Sequence, residues 1–476
     1  MDVIARQHAA SGASRRYGSG RILAAMCMVV VSYGLLQTML VPTLGVLQRD
    51  LRTTTTAASW AVLSAMLLAS AVVTPVVSRL GDRFGKRRVL LWMLAIYLAA
   101  TLASIAAPDI GTLIACRAVQ GVSLTLLPLT FAILREALPA SRAHAGLAVA
   151  SGLVTGTAGV GVLLGGLVVD HASWRWLFAI GTVPVSAALI MTARWIPESR
   201  ERHPGRLDVA GTATMTAGLL ALLLAVTQGP AWGWTTARVL GLFGTAVAML
   251  AVFVAVERRV AHPIVDLALL TKPPLTAAHL GALLLGVNQF AVYVALPKLA
   301  ELPTGNPGFG LSVTGAALVL VPGTLMTMPA SWAAPALADR FGVRAPLTAG
   351  LTLAAAGTAL LAVTHASVWH AVLYYAIASV GWGLAMAALP RMVNAACPQA
   401  QSGSANGLNT VARTIGGALG GQLAAAVLVG WAAPRDVNTG FTVAFSLAAG
   451  VAAMGGLLVP LWLFRDRGYL DTDESR

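Results

Sequence analysis

Charge is scarce in this 476-residue sequence. Asp, Glu, Lys and Arg together make up 11% of it, where a soluble domain carries about a quarter. That scarcity excludes an ordinary soluble globule. Hydrophobic residues make up 57%, and the mean hydropathy is +0.77. Apolar runs of about 20 residues, enough to cross a bilayer as a helix, recur along the chain. The alternating pattern of a spanning β-barrel is missing. Cysteine is scarce too. Cys27, Cys116 and Cys397 are an odd number without ligand spacing, so neither a disulfide framework nor a metal site is indicated. No Gly-x-x-x-x-Gly-Lys-Ser/Thr and no His-Glu-x-x-His occur, which argues against an ATP-driven machine and a zinc hydrolase. The apolar runs hold no convincing Ser/His/Asp set, so an enzyme is not expected. The polar segments are short, so a sensor with an added soluble domain is not expected either.

Acidic residues are missing from one place in particular. All 18 Asp and Glu fall outside the apolar runs or at their ends, Asp109, Asp170 and Glu301 among them. Two arginines do lie inside, Arg117 and Arg413. Each costs roughly 2.5–3.5 kcal/mol to insert at mid-membrane, so it should face a cavity or a partner. Either they line a path, or they bond backbone carbonyls and pin helices.

What is present is a chain of fourteen predicted spans, from 22–47 and 57–78 to 440–463. The fold class is an all-α polytopic membrane protein. The net charge of +14 is topological: about 24 of the 32 Lys and Arg fall on the face holding both termini and about 6 on the other, as expected for cytoplasmic termini. No nucleic-acid partner is expected. Ser78–Arg88, SRLGDRFGKRR, reads as a charged loop in which Gly81 and Gly85 permit a turn. It returns at Pro335–Arg344, PALADRFGVR, with Asp339 placed 257 residues after Asp82. Gly161, Gly165 and Gly166 return at Gly416, Gly420 and Gly421, an offset of 255. Agreement of the two offsets implies two six-helix repeat bundles with two extra helices between them. The expected organisation is a tail (1–21), a first bundle (22–195), a linker (196–208), two helices (209–256), a second linker (257–274), a second bundle (275–463) and a tail (464–476). Paired repeats in a membrane protein point to alternating access.

Leu80-Gly-Asp-Arg-Phe-Gly-Lys-Arg-Arg88 after a second span resembles the signature loop of the major facilitator superfamily. Arg117-x-x-Gln120-Gly121 resembles its fourth-helix motif. Gly152-x-x-x-Gly156 with Gly161, Gly165 and Gly166 resembles its antiporter motif, and Ser404 to Gly421 resembles the thirteenth span of the fourteen-helix drug:proton antiporters. The sequence departs from the pattern at Ser78 and Pro335, where Gly usually stands. It departs again at Gln37, in place of an Asp, and at Val162, in place of a Pro. Asp82, Arg83, Gly85 and Arg87 with Asp339, Arg340 and Gly342 read either as a cytoplasmic gate, with Asp82 as a breakable latch, or as a positive-inside anchor. As polar groups within the apolar runs, Arg117, Gln120, Arg413, Gln37, Asn288, Gln289 and Asn409 are the candidates for a transport and coupling path, although the amide side chains could instead bond neighbouring helices. Gly152, Gly156, Gly161, Gly165, Gly166, Gly416 and Gly420 would pack helices closely.

The expected function is proton-coupled efflux of small organic compounds, such as drugs or antibiotics, from the cell membrane. No cofactor is expected beyond the proton gradient. The expected partners are a small organic substrate, protons and the lipid bilayer, and the expected working unit is a monomer. Because the path lacks a carboxylate, the cargo is expected to be neutral, zwitterionic or anionic, with Asp170 or Glu301 available for coupling. The alternative is a symporter or uncoupled facilitator of a neutral or anionic metabolite.

Overall fold

A computed structural model describes residues 18–53, 57–58, 60–199, 208–260, 272–304, 308–397, 402–430 and 437–464. The expected tails and linkers fall largely outside the described residues. Within them the chain forms α1 (Ser19–Met39), α2 (Leu44–Asp50), α3 (Ala65–Phe84), α4 (Lys86–Ile105), α5 (Ile110–Gln120), α6 (Leu126–Ala137), α7 (Ala140–His171), α8 (Arg175–Trp195), α9 (Val209–Trp232), α10 (Ala237–Glu257), α11 (Pro273–Glu301), α12 (Val313–Phe341), α13 (Ala345–Val363), α14 (Val368–Ala396), α15 (Ser402–Gly430) and α16 (Val437–Phe464). Among the described residues, thirteen helices are long and apolar enough to span a membrane, α5 and α6 counting as one. The remaining predicted span is α3, whose apolar stretch, Ala65–Thr74, is shorter.

Three spans differ from smooth helices. The span expected over 22–47 breaks at a 3₁₀ turn, Val41–Thr43, where Pro42 cannot donate to the helical ladder. A π turn, Trp60–Ser64, precedes α3. A 3₁₀ segment, Gly121–Thr125, separates α5 from α6.

The charged segments over 78–88 and 335–344 are not loops. α3 continues through Asp82 to Phe84 and α12 through Asp339 to Phe341. The chain reverses at Gly85 (φ 99°) and Gly342 (φ 91°), left-handed conformations suited to glycine. Gly81 is helical instead, and a Cβ there would lie 2.8 Å from Leu129.

The glycine echo has a packing counterpart. Gly161 and Gly165 of α7 lie against the Leu35 and Met39 carbonyls of α1, and Gly416 and Gly420 of α15 lie against the Leu283 and Val287 carbonyls of α11. The α7–α1 and α15–α11 pairs are thus built alike, backbone against backbone. α7 also runs along α12: Gly152 meets Ser331, Gly156 meets Met328, and Gly166 meets Thr314. This joins the first six spans to the last six. On another flank α3 packs on α15. The extra helix α9 covers that contact, its Leu223 clustering with Leu68 of α3 and with Ile415 and Ala418 of α15. α10 packs chiefly on α9 and turns most of its surface outward.

Candidate functional site

A cavity of about 270 Å³ lies between the first six spans and the last six. α1 contributes Tyr33, Gln37 and Thr38, and the turn after it Val41. The π turn contributes Val62, α7 Val154 and Ala158, α14 Met386 and α15 Arg413. α11 supplies the longest wall, Gln289, Phe290, Tyr293, Val294, Pro297, Lys298 and Glu301. Lys298 and Glu301 are exposed and mark the mouth, at the end of α11 away from the termini. Most of the lining is apolar or aromatic, with a few convergent polar groups, as small-molecule pockets are. The ring of Tyr293 stands edge-on to Trp382 with centroids 5.5 Å apart. Gln289 Nε2 donates to Tyr293 Oη at 3.2 Å.

The sequence-predicted path residues divide into two groups. Gln37, Gln289 and Arg413 line the cavity. Arg117, Gln120, Asn288 and Asn409 are not among its lining residues; all four bond between helices. Arg117 is fully buried, and its Nε donates to the Ala61 carbonyl at 3.0 Å and its Nη2 to the Val62 carbonyl at 2.9 Å. Its Nη1 donates to Gln120 Oε1 at 2.7 Å, and Gln120 Nε2 passes the chain on to Ser104 Oγ at 3.0 Å. The guanidinium therefore holds the two π-turn carbonyls in place, and touches the cavity wall only through the backbone of Val62. Asn288 accepts from Trp382 Nε1 at 2.8 Å and donates to Thr358 Oγ1 and to the Ala448 carbonyl. Asn409 donates to the Ala278 carbonyl at 3.0 Å. Such residues pay for their burial by tying neighbouring helices together.

Arg413 is different. It is 6% exposed, and its Nη2 donates to Tyr33 Oη at 3.4 Å, across the two sets of six spans. Tyr33, Thr38, Tyr293 and Met386 were not anticipated as site residues. For Tyr33 and Tyr293 the signal is a four-residue ladder running from the predicted glutamines: Tyr33 and Gln37 on α1 with Val41 in the turn after it, and Gln289, Tyr293, Pro297 and Glu301 on α11. One helical face returns every three to four residues.

At the termini end, side chains join the same two sets. Arg135 Nη1 of α6 donates to Asn394 Oδ1 of α14 at 3.4 Å, and Asn406 Nδ2 of α15 donates to the same oxygen at 2.8 Å. Of the expected gate, Arg391 pairs with Asp339 at 2.8 Å. Arg340 and Arg83 each stack on the neighbouring phenylalanine, Phe341 and Phe84. Arg87 Nη2 donates to the Ala193 carbonyl of α8 at 2.7 Å. The Asp82 side chain lies outside the described residues. Lys86, which sequence reasoning passed over, is buried and pairs with Glu136 at 2.8 Å, and Ser199 donates to the same carboxylate. At the other end Asp170 accepts from Thr314 Oγ1, joining α7 to α12.

A family model described as Major Facilitator Superfamily matches residues 26–421 and 278–476. The puromycin resistance protein pur8 of Streptomyces alboniger is 30% identical, over 97% of this chain and 93% of that protein. The multidrug resistance protein Stp of Mycobacterium tuberculosis (strain CDC 1551 / Oshkosh) is 29% identical, over 78% of this chain and 68% of that one. The crystal structure of the human organic anion transporter MFSD10 shares the fold, with a TM-score of 0.66 at 14% identity over 93% of this chain and 99% of that one. With a helical fold, a cavity walled by both sets of six spans, and a family match over most of its length, this chain belongs to the Major Facilitator Superfamily.

Proposed function

We propose that the protein exports small organic compounds, drugs or antibiotics, by proton-driven alternating access, working as a monomer in the plasma membrane with both termini in the cytoplasm. The observation that carries this reading is the cavity itself. It is lined from both six-helix units, 22–195 and 275–463, and its mouth is at the end away from the termini. The Arg135–Asn394 bond joins the units at the other end, with Asn406 of the second unit donating to the same Asn394 oxygen. With the basic face turned to the cytoplasm, this is an outward-open arrangement. Rocking the units would break the Arg135–Asn394 bond and open the cavity inward. The names of the relatives, a multidrug and a puromycin resistance protein, support efflux over uptake.

The gate residues fit this reading. Asp82, Arg83, Gly85 and Arg87, with Asp339, Arg340 and Gly342, sit where α3 meets α4 and α12 meets α13. The Asp339–Arg391 pair is a latch in which the acid's side chain is 70% exposed, so it contributes under about 1 kcal/mol to stability. Asp82→Asn and Asp339→Asn are therefore expected to insert and fold normally and to slow transport. Unchanged rates in both would reduce the two segments to membrane anchors.

Inside-out vesicles test the direction and the coupling. With an acid interior, proton antiport should drive accumulation of a fluorescent drug, and a protonophore should collapse it. Uptake indifferent to the gradient would instead favour an uncoupled facilitator. A reading as a symporter or facilitator of a neutral or anionic metabolite draws on one observation, that Glu301 at the mouth is the one carboxylate among the cavity's lining residues.

A further inference from the structure

We propose that Arg413 and Tyr33 form the seat for a negatively charged group on the cargo, and that the preferred cargo is an aromatic organic anion of carboxylate type. The proposal rests on the reading of the cavity as the substrate site.

Depth sets Arg413 apart from the other lining charges. Its backbone carbonyl lies where a Cβ on Gly286 would fall. Gly286 stands fifteen residues before Glu301, so the Arg413 backbone lies level with a point about 22 Å along α11 from the mouth at 1.5 Å per residue, and its side chain lines the cavity together with Gln289, at the inner end of the α11 lining. At that depth a cation is expensive without a counter-charge. Among the described residues, the Arg413 side chain donates to Tyr33 Oη, at a long 3.4 Å. No described Asp or Glu forms an ion pair with it. Arg117, equally deep in sequence terms, spends its fork on two carbonyls and a glutamine. Arg413 lines the cavity, and among the described residues its one side-chain hydrogen bond is that long contact with Tyr33.

The chemistry selects the ligand. A guanidinium presents parallel N–H groups that match a carboxylate. Tyr33 Oη accepts from Arg413, which leaves its own proton free to donate to the same anion. Along the same wall the rings of Phe290 and Tyr293 are tilted at 58° with centroids 5.8 Å apart, and with Met386 and Val154 they form a lining suited to an aromatic body. The charges along the wall favour the same sign. Arg413 and Lys298 are set against Glu301, and no ion pair joins Lys298 to Glu301 among the described residues. A permanent cation would meet Arg413 at the bottom of the cavity, with no carboxylate there to receive it.

The test uses the full-length protein in nanodiscs and three pyrene probes of similar size: 1-pyrenebutyrate, its uncharged amide, and a pyrenyl trimethylammonium cation. Fluorescence titration should show the carboxylate binding at least tenfold tighter than the amide, with the cation weakest. In Arg413→Gln the gap between carboxylate and amide should shrink to within about twofold, while Arg413→Lys and Tyr33→Phe should each keep part of it. Equal or tighter binding of the amide or cation by the unmodified protein overturns the seat, whether or not any variant folds. So does a full gap surviving in Arg413→Gln. Vesicle transport separates this from the broader reading. Proton-driven export of the amide with no preference for the carboxylate leaves the exporter standing and removes the seat. Selective carboxylate binding without export of any probe keeps the seat and removes the exporter.

Discussion

Arg117→Ala is expected to unfold the first bundle rather than merely slow its transport. The substitution strands three buried acceptors at once: the Ala61 and Val62 carbonyls and Gln120 Oε1. Each buried acceptor left unpaired costs about 1–3 kcal/mol, so the total, roughly 3 kcal/mol or more, is a large share of a domain's usual stability of about 5–15 kcal/mol. The two carbonyls belong to a π turn, whose widened ladder leaves backbone oxygens in need of partners. Losing the guanidinium should let Trp60–Ser64 relax and shift the cavity wall at Val62. The measurements are the melting temperature and the monodisperse yield of the purified protein, both of which should fall sharply. Arg117→Lys should lie between, since an ammonium keeps the charge but lacks the planar fork. An unchanged melting temperature in Arg117→Ala would refute the pinning role. If transport were lost at that unchanged stability, Arg117 would belong to the path after all.

Gly416→Val should abolish folded protein altogether. A Cβ at Gly416 would press on the Leu283 carbonyl of α11 from inside van der Waals distance, and the obstacle is backbone, which cannot rotate away. The α11–α15 pair would have to separate over its whole contact, including the Val287–Gly420 approach one turn on. Overpacking inside a close-packed interface already costs about 1–3 kcal/mol when side chains can adjust, and here they cannot. Gly450→Ala is the matched control. A Cβ at Gly450 meets nothing within 4 Å, so the change is expected to be neutral or to stabilise by a few tenths of a kcal/mol, alanine being the better helix former. A folded Gly416→Val protein of normal melting temperature would show that α11 and α15 need not touch.

These two positions also show how far the sequence could be read. The repeat was visible because glycines recurred at one offset, and close backbone packing is what such glycines permit. Helix ends were harder. Hydropathy marks where a helix leaves lipid, whereas the backbone ladder needs no apolar side chain, so α3 and α12 run on through charged residues to Gly85 and Gly342. The π turn was hidden because nothing local calls for it; it is matched to an arginine some 55 residues away in the chain. Within the cavity, Gln37 and Gln289 stood out as polar residues in apolar runs. Tyr33, Tyr293 and Met386 did not, since aromatics and methionines in such runs usually fill cores. Arg117 and Arg413 shared one insertion cost, and only their partners distinguish a pin from an open donor.

α9 carries one more consequence. It bears on α3 through Leu68 and on α15 through Ile415 and Ala418, with the same leucine, Leu223, between them. A helix that leans on two bodies loads in compression or slackens whenever their spacing changes. Any change in the spacing of α3 and α15 would therefore have to repack Leu223, the residue where the inserted pair meets both.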